Sequence, residues 1–187
     1  MKFIETDIPD LYLIEPRKIS DSRGFFSETF RDDLLQQHGI QLNFVQENAA
    51  YSTQAGVLRG LHYQSPPHAQ AKLVRVTQGA IWDIAVDIRK NSPTYGQWLG
   101  FELTPENYRQ LLVPAGFAHG YVTLQAETEV LYKVSDYYAP AADKGLAWND
   151  SELDIDWKLE GMEPIISPKD QTHPSFSQLV SEFSYQS

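Results

Sequence analysis

Three side chains in this sequence, His62, Lys72 and Tyr132, are of the types needed to move protons on and off carbon. A histidine titrates near neutral pH and can therefore act as a general base. A lysine ammonium can stabilise the oxyanion of an enolate, and a tyrosine hydroxyl can return a proton. If all three project into one cavity, they could remove a proton next to a ketone and deliver another to the opposite face.

Each of these residues also has an ordinary structural explanation. His62 could be a core histidine satisfied by a backbone partner. Lys72 could lie on a solvated face or pair with Asp83, and Tyr132 could fill space while making one hydrogen bond. Arg59 stands three residues before His62, however, and several polar groups are costly to place together inside a barrel. The combination favours a functional site over any one residue taken alone.

The segments that carry these residues have the alternation typical of β-strands. In the stretch 72–89, Val74 and Val76 share a face with Lys72, whereas the residues between them share the other face. If the valines face the core, the ammonium points into the interior of the protein. The same pattern surrounds Tyr132, which has a valine two residues away on each side.

The rest of the chain predicts an all-β fold with a few short helices. Further strand-like segments lie at 120–125 and 129–136, and glycine- and proline-rich turns recur between them, which is typical of a sandwich or jelly roll. A short helix is predicted over 33–38, and residues 175–183 could form a terminal helix. We expect a single domain over residues 1–187.

Composition excludes several classes of protein. The chain has 15 basic and 25 acidic side chains, giving a formal charge of −10, so non-specific nucleic-acid binding is not expected. The absence of cysteine rules out disulfides and thiolate metal sites and fits a cytoplasmic location. The first residues lack the apolar run of a signal peptide, and no segment has the roughly 18 apolar residues of a membrane span.

Two segments, residues 56–62 and 114–119, have a spacing that resembles the signature motifs of the cupin barrel family. That family's metal site uses a second histidine and a glutamate, where this chain has Gln64 and Lys72. An ammonium would repel a cation and favour an anion, and His119 with Gln64 would be a weak ligand set. The resemblance therefore implies a barrel in which a metal is not expected.

A more specific resemblance is carried by eight motifs in order along roughly residues 1–180. The chain resembles the dTDP-4-dehydrorhamnose 3,5-epimerase family in the segments Asp-Ser-Arg-Gly-Phe-Phe-Ser-Glu (21–28), Gln-Glu-Asn (46–48), Leu-Arg-Gly-Leu-His-Tyr-Gln (58–64), Lys72, Pro-Ala-Gly-Phe-Ala-His-Gly (114–120), Tyr132, Tyr138 and Ser-Pro-Lys-Asp (167–170). Each motif alone would be weak evidence, whereas eight in the family's order are specific.

The resemblance implies a homodimer with a double-stranded β-helix, or cupin-like jelly-roll, fold that needs no cofactor. Its substrate would be dTDP-4-dehydro-6-deoxy-D-glucose, inverted at C3 and C5. His62 would be the base, oriented by Asp170. Lys72 would stabilise the enolate oxygen at C4, and Tyr132 would be the acid. The residues that would hold the sugar nucleotide are Arg23, Glu28, Gln46, Asn48, Arg59, His119, Tyr138, Asp143 and Lys169, with Tyr138 a candidate to stack on thymine.

Three alternatives stay open on the sequence alone. A sister enzyme on the same barrel could act only at C3 or only at C5, because His62 and Tyr132 are compatible with all of these reactions. A metal-dependent cupin enzyme and a non-catalytic sugar-binding barrel are the others. One departure from the family pattern concerns nucleotide recognition, since Asp143 stands where the family usually has a glutamate.

Overall fold

A computed structural model of the chain describes residues 1–186 and is nearly all β. Its strands are β1 (Lys2–Glu5), β2 (Tyr12–Glu15), β3 (Ile19–Asp21), β4 (Gly24–Phe26), β5 (Gln46–Ser52), β6 (Val57–Gln64), β7 (Lys72–Gln78), β8 (Ile81–Asp87), β9 (Trp98–Leu103), β10 (Gln110–Val113), β11 (Phe117–Thr123), β12 (Thr128–Val134), β13 (Asp143–Gly145) and β14 (Ile165–Ile166). Helix α1 (Asp32–Gln37) and two single 3₁₀ turns, Asp170–Thr172 and Phe176–Gln178, complete the regular structure of the described residues.

Two sheets face each other as a cupin-like jelly roll, which confirms the predicted fold class. One sheet has the strand order β1-β2-β10-β7-β12-β5, and the other has the order β13-β6-β11-β8-β9, with β14 parallel to one end of β6. Every other pairing in these sheets is antiparallel. The hairpin β3–β4 forms a separate two-stranded sheet.

The interior between the sheets is apolar and takes side chains from both of them. Val74 and Val76 on β7, Val130 on β12 and Leu111 on β10 pack there against Ala85 on β8. Since Lys72 and Tyr132 lie two residues from these valines, the period of two along each strand directs them to the same interior. The alternation in the sequence therefore predicted their orientation correctly.

Both outer faces of the jelly roll are also covered. Leu35 of α1 packs on Leu73 outside the first sheet. Trp157 and Phe176, from the C-terminal segment, pack on Ile84 and other outward-facing residues of the second sheet. Burying one such large apolar side chain contributes about 1.5–3 kcal/mol, so these covers add to the stability of the sheets that carry the interior polar residues.

The two helix predictions had different outcomes. The helix predicted over 33–38 is present as α1, displaced by one residue. The terminal helix is wrong, because only a single 3₁₀ turn forms, at Phe176–Gln178. The residues that follow lie extended, and Lys90 exchanges backbone hydrogen bonds with Phe183 and Tyr185 at 2.9 and 2.8 Å. Pairing with the barrel satisfies that backbone, so a helix is not required. None of the helices in residues 1–186 is long and apolar enough to span a bilayer.

Gly79→Ala should destabilise the fold strongly. Gly79 has φ +75°, and an added Cβ would lie 2.9 Å from the Cα of Thr128, which is fully buried. The turn between β7 and β8 therefore cannot accept a side chain without backbone movement. We expect a loss of about 2–4 kcal/mol in the free energy of unfolding, measured by urea denaturation, because overpacking adds to the strain of the left-handed backbone.

Gly39→Ala is the matched control for this substitution. Gly39 has nearly the same φ, +77°, but an added Cβ would have no atom within 4 Å. Only backbone strain should destabilise this variant, and it should lower the free energy of unfolding by about 1 kcal/mol. Equal losses in the two variants would show that the contact with Thr128 is unimportant.

Candidate active site

A cavity of about 450 Å³ opens between the sheets and is lined by His62, Lys72 and Tyr132. Strands β6, β7 and β12 supply these three side chains. An adjoining cavity of about 380 Å³ shares the same three residues and Lys169. Its further lining includes Gln46, Asn48, Tyr138 and Asp143. The two spaces adjoin at these shared residues and together form one site at an opening of the apolar interior.

His62 forms a close pair with Asp170. Its Nε2 lies 2.7 Å from Asp170 Oδ1, while Asp170 Oδ2 accepts a 3.1 Å hydrogen bond from the Gly60 backbone N–H. Burial opposes ionisation of Asp170, but hydrogen bonds from His62 and Gly60 outweigh it and lower the pKa of the carboxyl. Asp170 is therefore a carboxylate, so Nε2 of His62 is the donor and Nδ1 is the nitrogen left to accept a proton.

Lys72 brings a desolvated ammonium to the same cavity. Burial lowers its pKa to about 8, although the charges of Asp83 and Asp143 oppose that shift. Its hydrogen bond within residues 1–186 is a long one, 3.4 Å to the backbone oxygen of His62. A partly buried cation with free donors is suited to bind an oxyanion formed in the cavity.

Tyr132 lies on β12 and packs partly against the apolar interior. Burial raises the pKa of its phenol, although Arg59 and Asn48 act in the opposite direction. The hydroxyl therefore keeps its proton at neutral pH and can donate it. Asn48 is the cross-strand neighbour of Tyr132 on β5, so the two side chains emerge on the same face.

His119 forms a second histidine–carboxylate pair deeper in the protein. Its Nε2 lies 2.7 Å from Asp83 Oδ1, and both side chains are buried. Burial lowers the pKa of His119 and outweighs the opposing effect of Asp83, with Lys72 and His62 acting in the same direction as burial. His119 is the cross-strand partner of His62, and both line the larger cavity. His119 is therefore placed to orient a ligand in the cavity, and it does so as a neutral imidazole.

The smaller cavity is organised around Asp143. The carboxylate accepts a 2.9 Å hydrogen bond from Tyr138 and pairs with Lys169. Burial would raise the pKa of Asp143, but these two contacts outweigh it and lower the pKa. Gln46 donates to Asn48 at 2.8 Å beside them. The residues predicted to contact a nucleotide therefore form a hydrogen-bonded group next to the proposed base.

Arg59 extends the positive charge of the larger cavity. It is held by hydrogen bonds of 3.3 Å to the Tyr51 backbone oxygen and to Ser52 Oγ. With Lys72 and Lys169, it gives the cavity three cationic side chains in a chain of net charge −10. A local concentration of positive charge of this kind favours an anionic ligand.

Two predicted binding residues do not lie at this site. Arg23 is 88% exposed and is paired with Asp21 on the β3–β4 hairpin. Glu28 lies beyond the hairpin and contacts Arg31 at 3.4 Å. Neither lines the cavities that hold His62. Within one chain, the structure thus brings together all of the predicted site residues except these two.

Two further residues at the site were missed by the sequence analysis. Tyr121 lines the larger cavity, and its buried hydroxyl has no hydrogen-bond partner within residues 1–186. Its position two residues after His119 could have indicated the shared face. His173 lies beside the His62–Asp170 pair, with its ring 5.6 Å from that of His62 in an edge-to-face arrangement. Its only signal in the sequence was a spacing of three from Asp170.

Comparison with known proteins gives a consistent result. A family model described as dTDP-4-dehydrorhamnose 3,5-epimerase matches residues 5–178. The chain is 48% identical to the dTDP-4-dehydrorhamnose 3,5-epimerase of Pseudomonas aeruginosa over 178 residues, which cover 95% of this chain and 97% of that protein.

Two solved structures are similar over nearly the whole fold. One is the dTDP-4-dehydrorhamnose 3,5-epimerase of Bacillus anthracis with TDP and PPi bound, at 50% identity and a TM-score of 0.90, covering 93% of this chain and 98% of that one. The other is the dTDP-6-deoxy-D-glucose-3,5-epimerase of Legionella pneumophila in complex with dTDP-4-keto-L-rhamnose. It has 44% identity and a TM-score of 0.93, and it covers 100% of this chain and 99% of that one.

Proposed function

The chain belongs to the dTDP-4-dehydrorhamnose 3,5-epimerase family, and we propose that it converts dTDP-4-dehydro-6-deoxy-D-glucose to dTDP-4-dehydro-L-rhamnose. It is an isomerase that acts on a sugar nucleotide. The observation that carries the proposal is the meeting of the His62–Asp170 pair, the Lys72 ammonium and the Tyr132 phenol at one cavity.

The reaction begins with removal of a proton from a carbon beside the C4 ketone. Nδ1 of His62 takes the proton, because Nε2 is already bonded to Asp170. The imidazole becomes an imidazolium, and the 2.7 Å contact places the Asp170 carboxylate against the new charge. Asp170 thus both fixes the orientation of the ring and stabilises its protonated form.

The electron pair left on carbon moves onto the ketone oxygen and gives an enolate. Lys72 is the group that stabilises that oxygen, since its ammonium faces the cavity and has lost most of its contact with water. A preorganised donor of this type is worth about 2.7–4 kcal/mol of transition-state stabilisation. Without it, a proton next to a ketone is too weakly acidic to be removed at neutral pH.

Inversion requires that the new proton arrive on the other face of the ring. Tyr132 donates it and becomes a phenolate, while His62 keeps the proton it removed. Before the next inversion, a proton must pass from His62 to solvent and another from solvent to Tyr132. The proposed reaction is therefore redox-neutral, and each inverted carbon acquires a proton from water.

The nucleotide part of the substrate is held by the remaining polar residues. Arg59 and Lys169 supply positive charge for the pyrophosphate, and Arg can bind it with two parallel hydrogen bonds. The group around Asp143 lies where the nucleoside would extend from the proton-transfer residues. Gln46, Asn48, Tyr138 and His119 complete the proposed contacts. We place the reaction in the cytoplasm, which is consistent with a chain that has no cysteine.

Incubation with the 4-keto sugar nucleotide in D₂O tests the function directly. We expect NMR to show deuterium at both C3 and C5, and a product with both centres inverted. Label at one carbon alone would favour a single-position epimerase. Binding of the sugar nucleotide without any label at carbon would contradict the proposal and favour a sugar-binding barrel.

Activity should fall on the alkaline side with a midpoint near pH 8. The pKa of Lys72 is lowered to about 8, so its ammonium is lost as the pH rises through that value. The pKa of Tyr132 is raised, which places loss of the phenol proton at higher pH. The profile of kcat/KM reports groups of the free enzyme. Lys72→Ala should lower the rate by about 10²–10³ and remove this alkaline limb of the pH profile, that is, the fall in kcat/KM near pH 8.

Lys133→Ala is the matched control for Lys72. Lys133 follows Tyr132 on the same strand but points to the opposite face, where it pairs with Glu47 at 2.9 Å. The variant should keep both the rate and the alkaline limb. If Lys72→Ala retained a limb near pH 8, that limb would belong to another group, and Lys72 would not be the cation that sets it.

We also propose that the active form is a homodimer in which the β3–β4 hairpin of one chain reaches the cavity of its partner. The hairpin exposes Ile19, Phe25 and Phe26, each more than half exposed. It also carries Arg23, which the family resemblance assigns to substrate binding but which lies away from the cavity of its own chain. Insertion into a partner would bury the aromatic residues and bring Arg23 to an anionic ligand.

Mixing two inactive variants tests this arrangement. His62→Ala removes the proposed base from one chain, and Arg23→Ala removes the proposed contact from the other. If Arg23 acts on the partner, a mixed dimer has one intact site, and activity should rise well above that of either variant alone. A monomer in analytical ultracentrifugation, or no gain on mixing, would contradict the proposal.

A further inference from the structure

Three potential metal ligands converge beside the proposed base. Nε2 of His62 lies 2.7 Å from Asp170 Oδ1, and Nε2 of His173 lies 3.6 Å from the same oxygen. All three ligand atoms lie within 4.8 Å of one another. Two imidazole nitrogens and one carboxylate oxygen thus lie close together, and the mechanism above makes no use of His173.

His173 has a buried ring nitrogen that is available to bind a metal. Its side chain is 10% exposed, and its Nε2 is buried without a hydrogen-bond partner in residues 1–186. Leaving such a group unpaired costs about 1–3 kcal/mol. A Cβ on Gly145 would lie 2.5 Å from this nitrogen, so the His173 ring packs closely against the Gly145 backbone, which a larger residue would not permit. A bound ion would satisfy the nitrogen.

The donor set suits a zinc-like divalent cation. Neutral imidazole and carboxylate are common zinc ligands, with bonds of about 2.0–2.2 Å. Ligand atoms of a tetrahedral site are then about 3.3 Å apart. The 3.6 Å separation from His173 is close to this value, whereas the 2.7 Å separation from His62 must widen by about 0.6 Å.

We propose that His62, Asp170 and His173 bind one zinc-like divalent cation, and that its binding reversibly inhibits proton transfer. The ion would replace the hydrogen bond between His62 and Asp170. Nε2 of His62 would give its lone pair to the metal, so the imidazole proton would move to Nδ1, which could then no longer accept a proton from carbon. The inhibition rests on the proposed function, whereas the binding site itself does not. This site shares only His62 with the cupin metal positions, two of which are occupied here by Gln64 and Lys72.

Neighbouring charges limit the affinity of this site. Lys72 and Arg59 line the same cavity and repel a cation. Lys169 also lines it, but its charge is paired with Asp143. The only carboxylate among the three ligands is Asp170, so one negative charge faces a dication. Binding should therefore be reversible by a chelator, unlike that of a four-ligand structural zinc site.

Calorimetric titration of chelator-treated protein with Zn²⁺ tests the site without any substrate. We expect one ion per chain, and at least about tenfold weaker binding in His173→Ala. His173→Phe keeps an aromatic ring in the same place without a nitrogen, and it should show the same loss if the metal contact is responsible. Either variant binding Zn²⁺ as tightly as the unmodified protein would overturn the proposal.

His68→Ala is the control for non-specific histidine binding. His68 also pairs with a carboxylate, Asp136, at 3.1 Å, but it is half exposed and has no third ligand among residues 1–186. The variant should bind Zn²⁺ like the unmodified protein. An equal loss in His68→Ala and His173→Ala would place the ion elsewhere and contradict the assignment.

The inhibitory effect is measured by deuterium incorporation at increasing Zn²⁺ concentration. We expect the inhibition to follow the binding curve, to be reversed by EDTA, and to shift in His173→Phe by the same factor as the affinity. Binding without inhibition would overturn the second half of the proposal. If the protein lacked epimerase activity altogether, the proposed function would fail while the calorimetric result still decided whether the site exists.

Discussion

His62→Ala is expected to abolish deuterium incorporation at both C3 and C5 and to lower turnover by about 10⁴. The substitution removes the one nitrogen placed to accept the proton, and it also leaves Asp170 without its 2.7 Å partner. His119 cannot easily take over, because it is buried against Asp83, and His173 lines neither of the two cavities. NMR in D₂O measures exchange at carbon separately from inversion, so the loss can be assigned to proton removal.

The control for this variant must show that the fold is intact. His62 is 31% exposed on β6, so truncation leaves a space that water can enter, and the thermal transition should shift only slightly. His38→Ala, on the exposed end of α1, is the matched surface histidine and should keep full activity. Wild-type turnover in His62→Ala would show that another group is the base.

The strands that carry the site could be predicted because their pattern is local. Two valines spaced by two residues predicted that Lys72 faces the interior, and the structure shows Val74 and Val76 there. A strand buried on both faces is harder to interpret. On β8, Ile84 packs under the C-terminal segment, while Ala85 faces the interior. Alternation alone does not tell which of these faces is the inside of the barrel.

The pairing of His62 with Asp170 could not be derived from local pattern. The two residues are 108 positions apart, and the segment around Asp170 looks like an ordinary polar turn. The structure joins them because β14 runs parallel to β6 just before Ser167, which delivers the 3₁₀ turn to the cavity. Only the family resemblance indicated this contact from the sequence, since such a connection depends on the complete topology.

The location of Arg23 shows a second reason why the complete site could not be predicted from the sequence. Its motif is clear in the sequence, yet a motif does not say whether a residue serves the site of its own chain. The same holds for His173, which no motif includes. A role for either residue can be proposed only when distances are known. Arg23 lies away from the cavity of its own chain, and Nε2 of His173 lies 3.6 Å from Asp170 Oδ1.

Tyr132→Phe is expected to separate exchange from inversion. The variant keeps His62, Asp170 and Lys72, so the proton should still be removed and the enolate still stabilised. What is lost is the donor on the opposite face. His62 can then only return a proton to the face it came from, so deuterium should enter with retained configuration. We expect inversion to fall by about 10²–10⁴ while exchange falls by no more than about tenfold.

Tyr121→Phe decides whether this effect belongs to Tyr132. Both phenols line the larger cavity, and burial raises the pKa of both, so each is protonated at neutral pH. Their geometry differs, because the Tyr121 hydroxyl is buried away from solvent, whereas Tyr132 lines both cavities. Tyr121→Phe should therefore keep inversion near the wild-type rate. If it lost inversion and Tyr132→Phe did not, the acid would be assigned to the wrong strand, and β11 rather than β12 would supply the second proton.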